Sequence, residues 1–286
     1  MSTSGSKKKS SKAKTPHKAR ALYVYCIGES QQLAPLIKGE LPGAIESDVR
    51  IEMVADSGLA AIVSGVPIAD YGEGVLEERL SNPSWAAVRV MRHEQLVEHI
   101  ARRASVIPLR FGTIYLRRDR VEQMLAENRA EFLSIIERLR EREEWGVNVY
   151  VTRATLTEVM TTISPRLREF AEQAATASPG QAYLLRKKIE ALKADETRVE
   201  IKRATSGIER EMASFSDGSS RLRLTNDETT EQGEVVAKLA FLVSRARFDE
   251  FRAAAETMAE KYAASGFKLE LTGPWPAYNF ADRSGE

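Results

Sequence analysis

His93 and His99 are the two residues beyond the first 20 positions that most resemble a catalytic base or a metal ligand. Their spacing places them on different faces of a helix, so joint binding of one metal ion is not expected. His93 falls on the apolar stripe of a predicted helix, and this favours a hydrogen-bonded core or interface histidine over a catalytic base. His99 falls on another face and is expected to be solvated.

Other signatures of catalysis are missing from the sequence. The single cysteine, Cys26, lies within an apolar run and is predicted to be a small buried thiol. We find no glycine-rich phosphate loop and no nucleophile elbow, and the many acidic residues are explained by charged helix faces. No catalytic residue, cofactor site or metal site is therefore predicted.

One segment that differs from a generic scaffold runs from Val106 to Thr113. An apolar strand there passes through Pro108 and places Arg110 next to Phe111, and the proline indicates an edge strand or a strand end. Arg110 could pair with a buried carboxylate or reach a partner protein, and the pairing is the favoured interpretation.

The second distinctive segment runs from Leu271 to Phe280. Prolines on both sides of Trp275 make the backbone stiff and extended. Trp275, Tyr278 and Phe280 could pack back across the fold as a clasp, or they could form a partner-binding surface, since Trp and Tyr dominate interface hot spots. The clasp is favoured, and the two interpretations are compatible.

The elements that must position these residues alternate between strands and helices, and residues 21–144 are predicted to be a mixed α+β domain. Residues 31–46 contain Pro35 and several other prolines and glycines, which interrupt regular secondary structure, and they are predicted to be a loop. A hairpin is predicted at Asp56–Gly58, and Asn82 is predicted to begin a helix. The predicted strands are 21–27, 49–54, 59–63 and 106–109, and the helices begin near 82 and cover 117–143.

Residues 145–272 give the order strand, helix, strand, strand, helix, strand. This order is typical of a ferredoxin-like domain, here modified by a helical insertion at 155–176 that is broken at Ser164–Pro165. Residues 273–286 form the aromatic C-terminal segment. The predicted strands are 147–151, 221–225, 235–244 and 267–271, and the two main helices are 181–215 and 247–264.

Composition places the chain among soluble globular proteins, with 43% apolar and 29% charged residues in 286 positions. The sequence has no apolar run long enough to span a bilayer, so a cytoplasmic protein without membrane contact is expected. Residues 1–20 are rich in lysine and lack acidic residues, whereas the remainder is net acidic. They are predicted to form a disordered, solvated tail.

The two distinctive segments resemble signatures of the gas vesicle protein F/L family. The segment from Leu271 to Phe280 resembles the family's C-terminal signature, with Ala277 where a second proline is usual, and Ile107 to Thr113 resembles its central signature. Shorter resemblances follow in the same order along the chain, at 23–25, 58–64, 93–94, 180–185 and 240–243. The resemblance spans about residues 21–281 and excludes the basic tail.

The resemblance implies an accessory protein needed to form gas vesicles, the hollow protein shells that provide buoyancy. Expected partners are the small apolar shell protein and other accessory proteins, and no cofactor is implied. The expected location is the vesicle itself or the surrounding cytoplasm, and the gas-facing side is one location thought to apply to some members. Family members share two α+β domains, the second a modified ferredoxin-like fold.

Two other classes of function remain as alternatives. A nucleic-acid-binding module is the main one, because the basic tail and a ferredoxin-like sheet invite it. RNA-recognition domains stack bases on aromatic residues, however, and the predicted central strand has only Phe241. An enzyme is supported by fold analogy alone, which does not establish activity.

Overall fold

The computed structural model describes residues 20–224 and 229–281. Two antiparallel sheets, each covered by helices, make up these residues, as predicted for a mixed α+β chain. The predicted tail, except for Arg20, and residues 282–286 of the predicted C-terminal segment lie outside the described residues.

The first sheet has the strand order β2-β3-β1-β4, with β5 also paired to β1. The strand Arg20–Glu29, in the interior of this sheet, is almost entirely buried. Its apolar residues alternate with tyrosines, and both faces are enclosed. The strands are β1 (Arg20–Glu29), β2 (Ile51–Asp56), β3 (Leu59–Pro67), β4 (Val106–Pro108) and β5 (Ile114–Tyr115).

The predicted hairpin joins β2 to β3. Ser57 has a φ of 47° and Gly58 a φ of 88°, so both central residues of the turn are left-handed. This is the geometry of the tight hairpin turns that match strand twist, and it explains why a small polar residue and a glycine are found here. The hairpin prediction is confirmed.

Six helices accompany the first sheet in the described part of the chain. They are α1 (Ser30–Ile37), α2 (Ile68–Tyr71), α3 (Val75–Leu80), α4 (Pro83–Ala101), α5 (Arg118–Glu127) and α6 (Arg129–Leu139). α4 begins as predicted, because the Asn82 side chain accepts hydrogen bonds from the backbone N–H groups of Ser84 and Trp85 at 3.1 and 3.2 Å. Such a cap satisfies amide groups that have no partner within the helix.

Two predictions in this half were wrong, one of a loop and one of a single helix. The predicted loop at 31–46 contains α1, since fully buried Leu33 anchors a short helix in which Pro35 removes a single backbone hydrogen bond. The predicted single helix at 117–143 is two helices. Asn128 separates them, and its side-chain amide donates to the Met124 carbonyl at 2.8 Å, which ends α5.

The second sheet has the strand order β10-β6-β9-β7, with β8 also paired to β9. Its strands are β6 (Arg142–Val151), β7 (Gly218–Arg221), β8 (Thr229–Thr230), β9 (Gly233–Ser244) and β10 (Phe267–Trp275). Its helices are α7 (Arg153–Ile163), α8 (Pro165–Thr176), α9 (Pro179–Ala213) and α10 (Phe248–Ala263). The predicted break before Pro165 and the long α9 are both confirmed.

Three strand bounds in the second half differ from prediction. β6 begins at Arg142, so the domain boundary predicted after residue 144 falls inside a strand. β7 covers Gly218–Arg221, so the strand predicted at 221–225 was wrong except at Arg221: residues 222–224 are not in a strand, and residue 225 lies outside the described residues. β10 extends to Trp275 instead of ending at 271. At β6, β7 and β10, pairing with a neighbouring strand decides the bounds in residues whose own pattern is polar or irregular.

Three hydrophobic clusters fill the fold. One lies between the second sheet and its helices, one between the first sheet and α4, and one on the opposite face of the first sheet. This third cluster includes Leu242 of β9 and Ala281, so residues of the second half and of the C-terminal segment complete the core of the first. In the described residues, no helix is both long and apolar enough to cross a membrane.

Candidate functional site at the C-terminal aromatic segment

The C-terminal aromatic segment, residues 273–281, begins in the last part of β10 and continues from the second sheet to the first. Pairing of β10 with β6 shifts register between Thr272 and Trp275, and Gly273 there has a φ of 123°. A Cβ atom on Gly273 would lie 3.0 Å from the Glu144 carbonyl oxygen, so both the backbone angle and the space require glycine. The residues Tyr278–Phe280 then form a short 3-10 turn.

Tyr278 connects the segment to α4 through a chain of hydrogen bonds. Its hydroxyl lies 3.0 Å from His93 Nε2 and donates to Glu94 Oε1 at 3.1 Å. His93 Nδ1 lies 2.8 Å from the Tyr23 hydroxyl, which accepts a hydrogen bond from the Gly112 backbone N–H at 3.1 Å. Because each group has a defined partner, the segment is held in one orientation.

Burial determines the charge of this histidine. The side chain of His93 is fully buried, and burial lowers its pKa to about 4, so the ring is neutral near pH 7. The neutral ring has a tyrosine hydroxyl beside each nitrogen, Tyr278 at Nε2 and Tyr23 at Nδ1, and it also forms a hydrogen bond to the Leu109 backbone. The predicted hydrogen-bonded core histidine is therefore present.

A stability measurement against pH tests this environment. A lowered histidine pKa gives stability that is fully present above pH 6.5 and is lost as the pH falls toward 4. We expect the protonation of His93 to lower the free energy of unfolding by about 2 kcal/mol as the pH falls from 7 to 5. The measurement is urea unfolding of wild type and His93→Gln across this range.

The difference between the two pH profiles isolates the histidine. Burial raises the pKa of Glu94 and of Glu144, and these carboxyl groups favour folding as the pH falls, so the total slope mixes opposing contributions. Both variants retain them, and the wild-type curve should therefore fall more steeply toward pH 5. Parallel curves would contradict the assignment of a neutral buried His93.

Glu144 provides a second attachment for the segment. This carboxylate is 4% exposed and accepts hydrogen bonds from the Asn279 backbone N–H, at 3.0 Å, and from the Asn279 side chain. Arg138 of α6 adds a hydrogen bond of 2.6 Å to the Phe280 carbonyl oxygen. A buried carboxylate is tolerated only when such donors surround it, which makes this contact specific for the observed path of the chain.

The Phe280 ring packs where the two halves of the molecule meet. A Cβ atom on Gly218 would lie 3.2 Å from Phe280 Cε1, so the glycine in β7 leaves room for the ring. Phe280 and Ala281 join the hydrophobic cluster that contains Leu242 of β9 and Ile135 of α6. The C-terminal segment thus contributes apolar contacts to both sheets.

Phe111 and Arg110, predicted from the central segment, occupy different environments. The Phe111 ring is half-buried, with centroids 5.8 Å from Tyr23 and 5.7 Å from His93. Arg110 is exposed at the rim of an open cleft that also contains Phe132 and Tyr278. Phe111 therefore supports the residues that hold Tyr278, whereas Arg110 faces the outside.

Trp275 is the most exposed aromatic residue of the segment, with 53% of its surface accessible. Its indole N–H donates to Thr272 Oγ1 at 3.2 Å, and Gly146 of β6 leaves space for that oxygen, since a Cβ atom there would lie 2.5 Å from it. The ring borders a groove that also contains Glu98, Arg102 and Pro276. Of the five predicted residues, Phe111, Tyr278 and Phe280 form internal contacts, while Arg110 and Trp275 remain at the surface.

Several residues of the site escape sequence reasoning. Glu144 and Asn279 are 135 positions apart, and no periodicity connects them. Tyr23 and Glu94 fall within the short resemblances at 23–25 and 93–94, but no pattern in the sequence indicates their hydrogen bonds, and none indicates the contact of Arg138 with the Phe280 carbonyl oxygen. In the described residues, no group of three or more His, Cys, Asp or Glu side chains could hold a metal ion.

Two solved structures of gas vesicle proteins have a similar fold. The crystal structure of GvpF from Anabaena sp. PCC7120 superimposes with a TM-score of 0.62, at 16% identity, covering 93% of this chain and 97% of that one. GvpF from Microcystis aeruginosa gives a TM-score of 0.58 at 14% identity, covering 92% and 99%. At these identities the comparison establishes the shared fold.

Sequence comparison identifies the family. Residues 21–282 match the family described as gas vesicle synthesis protein GvpL/GvpF, and the chain belongs to this family. Gas vesicle protein L of Streptomyces sp. (strain CB03234) is 26% identical over 92% of this chain and 93% of its own length. Gas vesicle protein F of the same strain is 23% identical over 91% and 99%.

Proposed function

We propose that this chain is an accessory protein that binds the small shell protein and other accessory proteins while gas vesicles assemble. Family membership over residues 21–282 supports a role with gas vesicles. A shell that encloses gas must be built from apolar subunits, and their free strand edges and apolar faces would aggregate before assembly. A partner that covers those surfaces prevents this.

The exposed Trp275 is the observation that carries the proposal. It lies at the end of β10, which in the described residues is an edge strand paired only with β6. An edge strand can accept a strand from a partner, and an exposed tryptophan on a stiff backbone is a typical hot spot. Arg110, at the rim of the neighbouring cleft, is the second candidate contact.

We propose the three parts of the prediction, an N-terminal domain at 21–144, a modified ferredoxin-like domain at 145–272 and the C-terminal segment, with the first boundary moved to Arg142, where β6 begins. Numbered along the chain, the long strands β6, β7, β9 and β10 are first to fourth, and their spatial order is fourth, first, third, second. All neighbours are antiparallel, as in a split βαβ sheet. α7 and α8 are then the insertion.

Substitution of Trp275 tests the binding surface. Trp275→Ala should weaken recovery of the co-expressed shell protein roughly tenfold or more, as expected for a hot-spot tryptophan. The measurement is quantitative co-purification with a tagged chain. Leu116→Ala is the matched control, because Leu116 is 64% exposed and follows β5 of the first sheet, whereas Trp275 ends β10 of the second, and it should leave recovery unchanged.

Unchanged recovery with Trp275→Ala, in a variant that remains folded, would rule out this surface. The wider role is tested by deleting the gene and examining the cells by electron microscopy. We expect gas vesicles to be missing or malformed. Cells that contain normal vesicles without this protein would contradict the proposed role.

A further inference from the structure

In the described residues, an apolar surface without a covering element lies at the end of α3 and along the first half of α4. Leu80, Val88 and Met91 are 40%, 41% and 53% exposed, and Ala87 is exposed between them. We call these four residues the head patch. The fully buried residues of α4 lie in its second half, beyond Met91, whereas the first half exposes apolar residues at positions where polar ones are expected on an outer helix face.

The first half of α4 has almost no charged side chains beside the head patch. Arg89 is the only charged residue between Pro83 and Met91, and it turns toward Glu46 at 2.8 Å and lies over the Trp85 ring at 4.0 Å. Clustered exposed apolar residues of this kind mark interaction sites, whereas single ones do not.

Acidic residues border the head patch. Glu73, Glu77 and Glu78 are exposed just before Leu80, and in the described part of the chain they form no ion pair. The neighbouring Arg79 pairs with Asp70 instead, at 2.7 Å. The head patch is therefore apolar with an uncompensated negative border.

The start of α9 carries a second patch with the opposite charge. Tyr183 and Leu184 are 59% and 67% exposed, and we call them the tail patch. Arg186, Lys187 and Lys188 follow after Leu185, all exposed, and none is paired with a carboxylate in the described residues. Lys187 and Lys188 instead lie near aromatic rings, those of Tyr183 and Phe170, at 5.8 and 4.2 Å.

We propose that the head patch of one copy binds the tail patch of a second copy. Three uncompensated carboxylates border the first and three uncompensated cations border the second, so the contact is complementary in charge and apolar at its centre. The patches lie on different elements, α3–α4 and α9, so both stay available in each copy. Such a head-to-tail contact repeats and produces rings or open chains.

Sedimentation velocity of the full-length protein tests the contact. We expect association that increases with concentration and weakens as salt rises from about 0.05 M to about 0.5 M, because salt screens exposed charges. Two variants separate the sides: Val88→Gln with Met91→Gln in the head patch, and Tyr183→Gln with Leu184→Gln in the tail patch. Each should raise the apparent dissociation constant roughly tenfold or more.

Mixing the two variants gives the decisive result. Each retains one intact patch, so the mixture should form a discrete one-to-one dimer that grows no further. Val199→Gln is the matched control, because Val199 is 61% exposed farther along α9, and it should associate like wild type.

A wild-type chain that stays monomeric at all attainable concentrations overturns the proposal. So does a mixture of the two variants that remains monomeric, since it excludes a head-to-tail contact. Met91 is exposed, so oxidation of its side chain reports whether the head patch is covered. If the shell protein slows this oxidation while copies of the chain do not associate, the head patch binds the shell protein, and the proposal is overturned.

Discussion

Replacing His93 with alanine is expected to lower the free energy of unfolding by about 4 kcal/mol. The side chain is fully buried, and both ring nitrogens lie within hydrogen-bond distance of tyrosine hydroxyls. Its removal leaves a cavity beside the rings of Tyr23, Tyr25 and Phe111, and it deprives two buried hydroxyl groups of a partner. The two effects add, because the first concerns lost packing and the second lost hydrogen bonds.

Urea unfolding of wild type and His93→Ala at pH 7 measures this loss. His99→Ala is the matched control, since His99 lies six positions later on the same helix and is less buried; its expected effect is within about 0.5 kcal/mol. A loss below about 1.5 kcal/mol for His93→Ala would show that the hydrogen-bonded chain contributes little to folding.

Local signals made much of the fold predictable. The Asn82 cap, the Ser57–Gly58 turn and the break at Pro165 are each determined by residues within a few positions, and all three are found where the sequence places them. His93 was also predictable, because a histidine on an apolar helical stripe must find hydrogen-bond partners when it is buried.

Long-range contacts account for the errors. The residues Arg142 to Glu144 look like the end of a charged helix, yet they begin β6, because Glu141 turns the chain with a φ of 53° and the strand pairs with Leu242 to Ser244 of β9. Likewise, Pro35 indicates a loop, but burial of Leu33 against the first sheet stabilises a helix. Tertiary packing overrides local preference at such positions.

The candidate site likewise depends partly on local signals and partly on long-range contacts. The aromatic residues of the C-terminal segment are visible in the sequence, but the inward packing of Phe280 depends on distant residues. Gly218, on β7, leaves room for the Phe280 ring, and Glu144, on β6, binds the neighbouring Asn279. A clasp and a partner surface can therefore coexist in one segment, with adjacent residues serving the two purposes.

Phe280→Ala is the variant that separates these two purposes. We expect it to lower the free energy of unfolding by about 3 kcal/mol, the lower end of the range for truncating a packed phenylalanine. The ring contacts β7 beside Gly218 and belongs to the cluster shared with Leu242 and α6, so its loss weakens both halves at their junction. Urea unfolding measures the loss, and limited proteolysis should show earlier cleavage near the C terminus.

Trp275→Ala gives the contrasting result within the same segment. With 53% of its surface exposed and one hydrogen bond to Thr272, Trp275 should change the free energy of unfolding by about 0.5 kcal/mol or less. A small effect of Phe280→Ala together with a large effect of Trp275→Ala would reverse the assignment, because the tryptophan would then be the residue that closes the fold. The expected order makes stability depend on the inner ring and leaves the outer ring free to meet a partner.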